Sequence, residues 1–177
     1  MISKKFWWDD WALLAATFCI IPVYVLQNLA TVKGFGRHLW NVPLDEVITV
    51  LQLYWVAETI YIVVLTLVKL SILFFYLRIF PRPQFRRTVK ATLGFVAIYG
   101  LSFIFVIVFQ CKPIKARWDL SVEGKCVNIN MVAYSAAGIS IFQDIIILLI
   151  PIPEILGLKM DVKKRINVML ILGIGVL

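Results

Sequence analysis

The chain has 177 residues, of which 62% are hydrophobic and 16% are charged, and its formal net charge is +8. A water-soluble domain carries about 25% charged residues, and successive apolar runs of about 20 residues leave too little polar surface for a soluble helical core. The runs do not alternate apolar and polar residues, which excludes a transmembrane β-barrel. Because the basic residues lie in short loops beside the apolar runs, the positive charge indicates membrane topology signals, and we expect no nucleic-acid partner.

Four apolar runs are each long enough to cross a bilayer, for which a helix needs about 20 residues. A fifth run begins at Ile166 and stops at the chain end, Leu177. Proline pairs after the second and fourth runs are expected to end those helices. The sequence therefore predicts an all-α, polytopic transmembrane bundle with four complete spans and a truncated fifth, near residues 11–32, 47–77, 88–110, 129–152 and 166–177.

Basic residues are unevenly distributed between the two sides of the membrane. If successive runs cross the bilayer, alternate loops share a side, and eleven lysines and arginines fall on one side against six on the other. The richer side should be cytosolic, so the N-terminus is predicted inside and the segments 33–46 and 111–128 outside. The cytosolic basic loops are predicted to contain Arg78, Arg82, Arg86, Arg87, Lys90, Lys159, Lys163, Lys164 and Arg165.

Acidic residues and glycines flank the first run. Asp9 and Asp10 come at its start, where acidic side chains cap free N–H groups and suit the helix dipole, and this role explains them without a metal. Gly34 and Gly36 predict a turn after the run. His38, the only histidine, is expected to have a structural or surface role, because a metal site needs several ligands.

Two of the three cysteines lie in the same predicted outer loop. Fourteen residues separate Cys111 from Cys126, and a disulfide that closes such a loop stabilises a protein by about 3 kcal/mol. The outer side of the membrane is also the oxidising side, so we predict a Cys111–Cys126 disulfide, the alternative being two free thiols. Cys19 lies within the first run and is expected to be a small packing residue.

Three ionisable side chains fall within the apolar runs: Glu58, Lys69 and Asp144. A charge inside the membrane is costly and has to face a partner or a water-filled cavity. Lys69 and Asp144 each lie about 13 Å from the inner end of their runs at helical rise, and this shared depth predicts an ion pair. Glu58 lies about 16 Å farther out on nearly the same helix face, too far to pair with Lys69, and is expected to line an outward cavity.

Two interpretations of these charges remain open. Either they form a polar pathway or a lock between conformational states, or they are a static structural pair with a glutamate bonded to its neighbours. The sequence contains no clustered His and Asp ligands, no nucleophile elbow and no phosphate-binding loop. We therefore expect that the protein is not an enzyme and has no catalytic, cofactor-binding or metal-binding residues.

Six short motifs occur along the chain in a characteristic order. They are Asp9-Asp10-Trp11, Gly34-x-Gly36-x-His38-x-Trp40, the stretch from Lys69 to Phe80, Cys111-Lys112-Pro113 with Trp118, Cys126-x-Asn128, and Asp144 before Pro151-Ile152-Pro153. Together they resemble the fungal rhodopsin-domain family of integral membrane proteins, and the resemblance covers nearly the whole chain. Each motif is a weak signal, but six in the same order are specific.

The resemblance implies a receptor-like protein with seven spans, of which this chain matches the second to the start of the sixth; some members also carry an extracellular CFEM domain. It implies ligand-dependent rearrangement of helices, a heterotrimeric G protein as partner and a plasma-membrane location. Retinal-binding rhodopsins carry their Schiff-base lysine on the last span, whereas Lys69 lies on another helix, so we expect no retinal. The alternative is a transporter or channel for a small solute or ion, and the ligand is left open.

Overall fold

The computed structural model describes residues 7–38, 42–119 and 121–157 of the chain. The predicted fifth run and four of the predicted cytosolic basic residues lie outside this described part: Lys159, Lys163, Lys164 and Arg165. The elements within it are α1 (Trp8–Val32), α2 (Leu44–Ile79), α3 (Pro83–Val108), β1 (Cys111–Lys112), a 3-10 helix (Ile114–Arg117), β2 (Lys125–Cys126), α4 (Ile129–Leu149) and α5 (Ile152–Gly157).

Four of the described helices, α1 to α4, are long and apolar enough to cross a membrane, which confirms the all-α transmembrane bundle. The longest is α2 with 36 residues, or about 54 Å at 1.5 Å per residue. Because the hydrocarbon core is about 30 Å thick, α2 is tilted or extends beyond it. The first three helices begin three to five residues before their predicted limits, because each continues through polar residues that precede its apolar run.

The central helix of the bundle is α2, which packs against α1 and α3 along much of its length. The approach to α3 is close at Gly100, where a Cβ atom would lie 2.6 Å from the Thr66 side chain. A glycine at this position therefore lets the two backbones come together. In contrast, the backbones of α2 and α4 stay apart over most of their length, which leaves space between these two helices.

The outward surface of the helices is apolar. Large hydrophobic side chains such as Phe18, Ile98 and Phe105 are 70%, 67% and 63% exposed, respectively. A soluble protein rarely exposes a continuous surface of this kind, whereas lipid tails are as apolar as these side chains and solvate them well. The exposed surface therefore agrees with a bilayer as the environment of the four helices.

Ion pairs bring three segments of the chain together at one end of the bundle. Arg78 Nη1 lies 3.0 Å from Asp9 Oδ2 and 3.4 Å from Asp10 Oδ2, and Arg82 Nη1 lies 3.1 Å from Glu154 Oε2. The start of α1, the end of α2 and the segment after α4 therefore share this end, as four successive membrane crossings require. We call it the basic end of the bundle.

The predicted basic loop after α2 is mostly helical, which corrects the prediction. Arg78 lies in the last turn of α2, and α3 already begins at Pro83, so that helix contains Arg86, Arg87 and Lys90. Pro83, the second proline of the pair after the second run, begins α3, because its fixed φ angle and missing N–H suit the first helical position. Of the five residues predicted in this loop, only Arg82 lies between the two helices.

The structure gives Asp9 a role other than capping α1, which corrects the expectation for this residue. Asp10 has the capping role, because its carboxylate accepts a hydrogen bond from the Trp7 N–H at 3.0 Å. Asp9 is instead buried and forms the ion pair with Arg78, while its carbonyl accepts a 2.9 Å hydrogen bond from the Ser71 hydroxyl. Asp9 therefore joins the start of α1 to α2.

The connection between α3 and α4 folds into a compact disulfide-bridged unit at the opposite end of the bundle. Its two short strands are antiparallel, with Cys111 opposite Cys126, and these residues form the predicted disulfide, which is confirmed. Within the connection, the Asp119 carboxylate accepts hydrogen bonds from the hydroxyl and the backbone N–H of Ser121, and these lower the pKa of Asp119. We call this end the disulfide end.

Replacing both Cys111 and Cys126 with serine is expected to lower the free energy of unfolding by about 3 kcal/mol, because the unfolded chain then loses the constraint of a closed loop. The measurement is detergent-induced unfolding of the full-length protein. The matched control is Cys19→Ser, for which we expect a change within about 1 kcal/mol, since Cys19 is not in a disulfide. Alkylation of Cys111 and Cys126 in the unfolded protein without reductant would contradict the disulfide.

Candidate functional site

Lys69 of α2 has a buried side chain whose nitrogen faces α4. Its Nζ atom lies 2.9 Å from Asp144 Oδ1, which is the pairing that the matching depths predict. The same nitrogen donates hydrogen bonds to the Ser140 hydroxyl at 2.8 Å, to the Ser140 carbonyl at 3.0 Å and to Gln143 Oε1 at 3.4 Å. An ammonium group has three N–H donors, so these acceptors satisfy all of them.

This lysine links two helices whose backbones are otherwise apart. The Lys69 side chain is 10% exposed and that of Asp144 is 32% exposed. A buried ammonium group is tolerated only while it has a charged partner and hydrogen-bond acceptors. The pair therefore holds α4 against α2, and any movement that separates the two helices has to break it.

A cavity of about 440 Å³ lies between α2, α3 and α4. Its volume is in the range of about 300–1,000 Å³ that is usual for small-molecule sites. Lys69 and Gln143 line one part of it, and Glu58 lines it nearer the disulfide end. The other walls are mainly apolar or aromatic and include Tyr54, Tyr61, Ile62, Leu65, Tyr99 and Phe103.

Small side chains on α4 explain why there is room for this cavity. Ala133, Ala136, Ala137 and Ser140 all line it, and their spacing of three, four and seven residues places them on one face of a helix. Side chains of this size leave space between α4 and α2. The stripe was present in the sequence as a periodic signal, but sequence reasoning missed it, because small residues in a span also fit close helix packing.

Glu58 lines the cavity as expected, but its partner was not found from the sequence. Arg117 Nη2, in the disulfide-bridged connection, lies 3.3 Å from Glu58 Oε2. Beside this contact, the ring of Trp118 packs on that of Trp55 with 5.3 Å between centroids. Trp55 Nε1 in turn donates a 3.2 Å hydrogen bond to the Ile107 carbonyl. The disulfide-bridged connection is therefore folded down onto α2 at this end of the cavity.

The arrangement supports binding better than catalysis. The described lining residues include no histidine and no cysteine, and Lys69 and Glu58 are each engaged in an ion pair. The remaining polar groups are hydroxyls and one amide, which orient a ligand by hydrogen bonds. The cavity therefore has the volume and the polar groups that are usual for a small-molecule site.

The family model for the fungal rhodopsin domain matches residues 1–177. The chain is 33% identical over 164 residues to "Fugralins biosynthesis cluster protein 2" of Gibberella zeae, with 87% of this chain and 40% of the relative covered. It is 27% identical over 155 residues to a "SAT4 family membrane protein" of Emericella nidulans, covering 86% and 41% of the two chains.

A further relative is "Wortmanamides biosynthesis cluster protein C" of Talaromyces wortmannii, 26% identical over 183 aligned positions, with 98% of this chain and 49% of the relative covered. The chain thus spans between two fifths and half of the length of these curated relatives. No solved structure matches the chain significantly.

Proposed function

Since the chain belongs to the fungal rhodopsin domain family of multi-pass membrane proteins, we propose that it acts as a receptor-like protein that responds to a small molecule bound between α2, α3 and α4. One observation carries the proposal: a cavity of ligand size borders directly on the Lys69–Asp144 pair that joins α2 to α4. The two helices would have two arrangements, one with α2 and α4 closer together and one with them farther apart. A ligand that binds one arrangement better would shift the equilibrium towards it. The pair then works as the lock between the two arrangements.

The partner would be a heterotrimeric G protein at the basic end of the bundle. Arg86, Arg87 and Lys90 are exposed there on the first turns of α3, and an excess of basic residues is typical of the cytosolic side. We propose that this end, with the N-terminus, is cytosolic and that the protein is in the plasma membrane. Movement of α4 relative to α2 would alter the surface that the G protein contacts.

We propose that the site uses neither retinal nor catalytic residues. A retinal Schiff base needs a lysine nitrogen that is available to bond to carbon, and Lys69 is the one lysine among the described lining residues. Its nitrogen is already held by Asp144 and Ser140. Two relatives are named as proteins of the fugralins and the wortmanamides biosynthesis clusters, and the ligand that we propose is a small organic molecule.

Asp144→Asn is expected to raise basal nucleotide exchange on a fungal Gα subunit about fivefold, because loss of the ion pair removes about 1 kcal/mol that favours the locked arrangement. The assay measures binding of a non-hydrolysable GTP analogue after the full-length protein and the G protein are reconstituted in lipid vesicles. Lys33→Ala, which removes an exposed 3.9 Å pair with Glu46, should leave the exchange rate unchanged. Failure of the full-length protein to bind any Gα subunit would contradict coupling.

A transporter for a small solute is the second candidate. The observation that favours it is the presence of charged residues at two depths along one cavity, Glu58 and Lys69, since such residues mark solute pathways in membrane proteins. Uptake of labelled solute by vesicles that contain the full-length protein separates the two functions. A transporter moves solute without a G protein, whereas a receptor changes nucleotide exchange without flux.

A further inference from the structure

Three basic side chains on the first turns of α3 have no acidic partner among the described residues. They are Arg86, Arg87 and Lys90, all exposed, and α3 itself contains no Asp or Glu. The preceding arginines differ from them, because Arg78 is paired with Asp9 and Asp10, and Arg82 is paired with Glu154. The described part of the chain thus leaves three positive charges on α3 without a carboxylate. We call Arg86, Arg87 and Lys90 the lateral basic surface.

The lateral basic surface lies on the side of α3 that faces lipid. At about 100° per residue, its three side chains fall within an arc of about 100°. Farther along the helix, exposed apolar residues project onto this arc to within about 20°, namely Ile98, Leu101 and Phe105. The buried residues of α3 occupy a separate arc, and they are Phe85, Val89, Val96, Gly100 and Ile107. The basic side chains are therefore on the outward side of the helix, not on the side packed against the bundle.

The surface also lies at the depth of the lipid headgroups. From Ala91 to Val108, α3 contains no charged residue, and this stretch is about 27 Å long at helical rise, close to the hydrocarbon thickness of about 30 Å. Lys90 therefore marks the edge of the hydrocarbon, and Arg86 lies about 6 Å beyond it. Since the headgroup region on each side is about 5–7 Å thick, all three side chains are at the level of the phosphates.

We propose that the lateral basic surface binds the phosphate groups of anionic phospholipids in the leaflet at the basic end of the bundle. Charge complementarity is the argument, because guanidinium and ammonium groups donate charge-assisted hydrogen bonds to phosphate oxygens, and basic segments beside a membrane span attract anionic lipids. A zwitterionic lipid gains less, since its own cation is repelled. The inference goes beyond the proposed function, because it concerns the lipid beside α3 and neither the cavity nor a G protein.

The experiment uses the full-length protein in phosphatidylcholine nanodiscs that contain a small share of one photoactivatable lipid. The probe has a phosphatidylglycerol or a phosphatidylcholine headgroup and, in both cases, the same diazirine beside the glycerol; mass spectrometry maps the labelled residues. We expect the anionic probe to label residues 83–94 at least about tenfold more than the zwitterionic probe, because each basic side chain favours an anionic headgroup about fivefold.

Two changes of solution test the source of this preference. Raising the ionic strength from about 0.1 M to about 1 M should reduce it severalfold, because the Debye length falls from about 10 Å to about 3 Å. Inorganic phosphate at matched ionic strength should leave it unchanged. If inorganic phosphate abolishes the labelling by the anionic probe, the surface binds phosphate from solution and the assignment to lipid is wrong.

Variants test which charges attract the lipid. Arg86→Gln/Arg87→Gln/Lys90→Gln should reduce the preference to less than about twofold, whereas Arg86→Lys/Arg87→Lys should retain it, since the attraction depends on charge. The matched control removes three exposed lysines from the disulfide-bridged connection at the other end of the bundle, as Lys112→Gln/Lys115→Gln/Lys125→Gln. This control loses the same net charge and should label α3 like the wild type.

Several results would overturn the assignment. They are equal labelling of α3 by the two probes in the wild type, a preference that survives the three glutamine substitutions in α3, and loss of the preference in the arginine-to-lysine variant or in the control. Because the nanodiscs contain neither a cavity ligand nor a G protein, the result is independent of the nucleotide-exchange assay. The lipid surface and the receptor-like function can therefore fail separately.

Discussion

Replacing Lys69 with alanine is expected to lower the free energy of unfolding by about 3 kcal/mol, because it leaves the Asp144 carboxylate in the bundle without its charged partner. Asp144→Ala is expected to cost a similar amount, because Lys69 keeps its hydrogen bonds to Ser140 and Gln143 but, with a side chain only 10% exposed, loses its charged partner. Both values are measured by detergent-induced unfolding of the full-length protein.

The double variant Lys69→Ala/Asp144→Ala separates the pair from its surroundings. We expect its loss to be smaller than the sum of the single losses by about 1–2 kcal/mol, as is usual for residues in direct contact. The matched control is the exposed pair of Lys33 and Glu46, whose atoms are 3.9 Å apart and whose coupling should stay below about 0.5 kcal/mol. Strictly additive losses for Lys69 and Asp144 would contradict a stabilising ion pair.

Arg78→Met is expected to lower the free energy of unfolding by about 3 kcal/mol, since it leaves the buried carboxylate of Asp9 without its arginine. The Asp9 side chain is 8% exposed, and the hydrogen bond from Ser71 to its carbonyl does not compensate the charge. The substitution therefore weakens the contact between α1 and α2. Hydrogen exchange followed by mass spectrometry should show that, relative to the wild type, exchange increases more in α1 than in α3.

Two further variants test this interpretation of Arg78. Arg87→Met, at an exposed position in the first turns of α3, should change stability by less than about 0.5 kcal/mol. Adding Asp9→Asn to Arg78→Met removes the unpaired charge and should recover about 1 kcal/mol or more of the loss. Equal losses for Arg78→Met and Arg87→Met would show that the ion pair with Asp9 does not stabilise the bundle.

Features that depend on distance along the chain could be predicted from the sequence. The apolar runs predicted the four helices, because crossing a bilayer requires a certain length of apolar residues. The depth of Lys69 and Asp144 followed from the helical rise, since 1.5 Å per residue converts a sequence interval into a height. The disulfide between Cys111 and Cys126 followed from their position in one short loop.

Contacts that depend on helix rotation or on the path of a loop could not be predicted in this way. Arg117 lies in the segment 111–128, which the sequence predicts as an outer loop, yet the connection folds back so that its side chain meets Glu58. Arg78 was assigned to a cytosolic loop, and Asp9 to a helix cap, although the two are 3.0 Å apart. Distance along the chain does not determine which charges meet when helices pack side by side.

The sequence by itself therefore determined the membrane class, the helix count of the described part, the relative depth of the buried charges and the disulfide, because each follows from hydropathy, length or spacing. Only the tertiary structure decided that Lys69 reaches Ser140 and Gln143 and that a cavity lies between α2 and α4. The physical reason is that the rotation of each helix is set by packing against its neighbours. The small side chains of α4 become a cavity wall only once that rotation turns them towards α2.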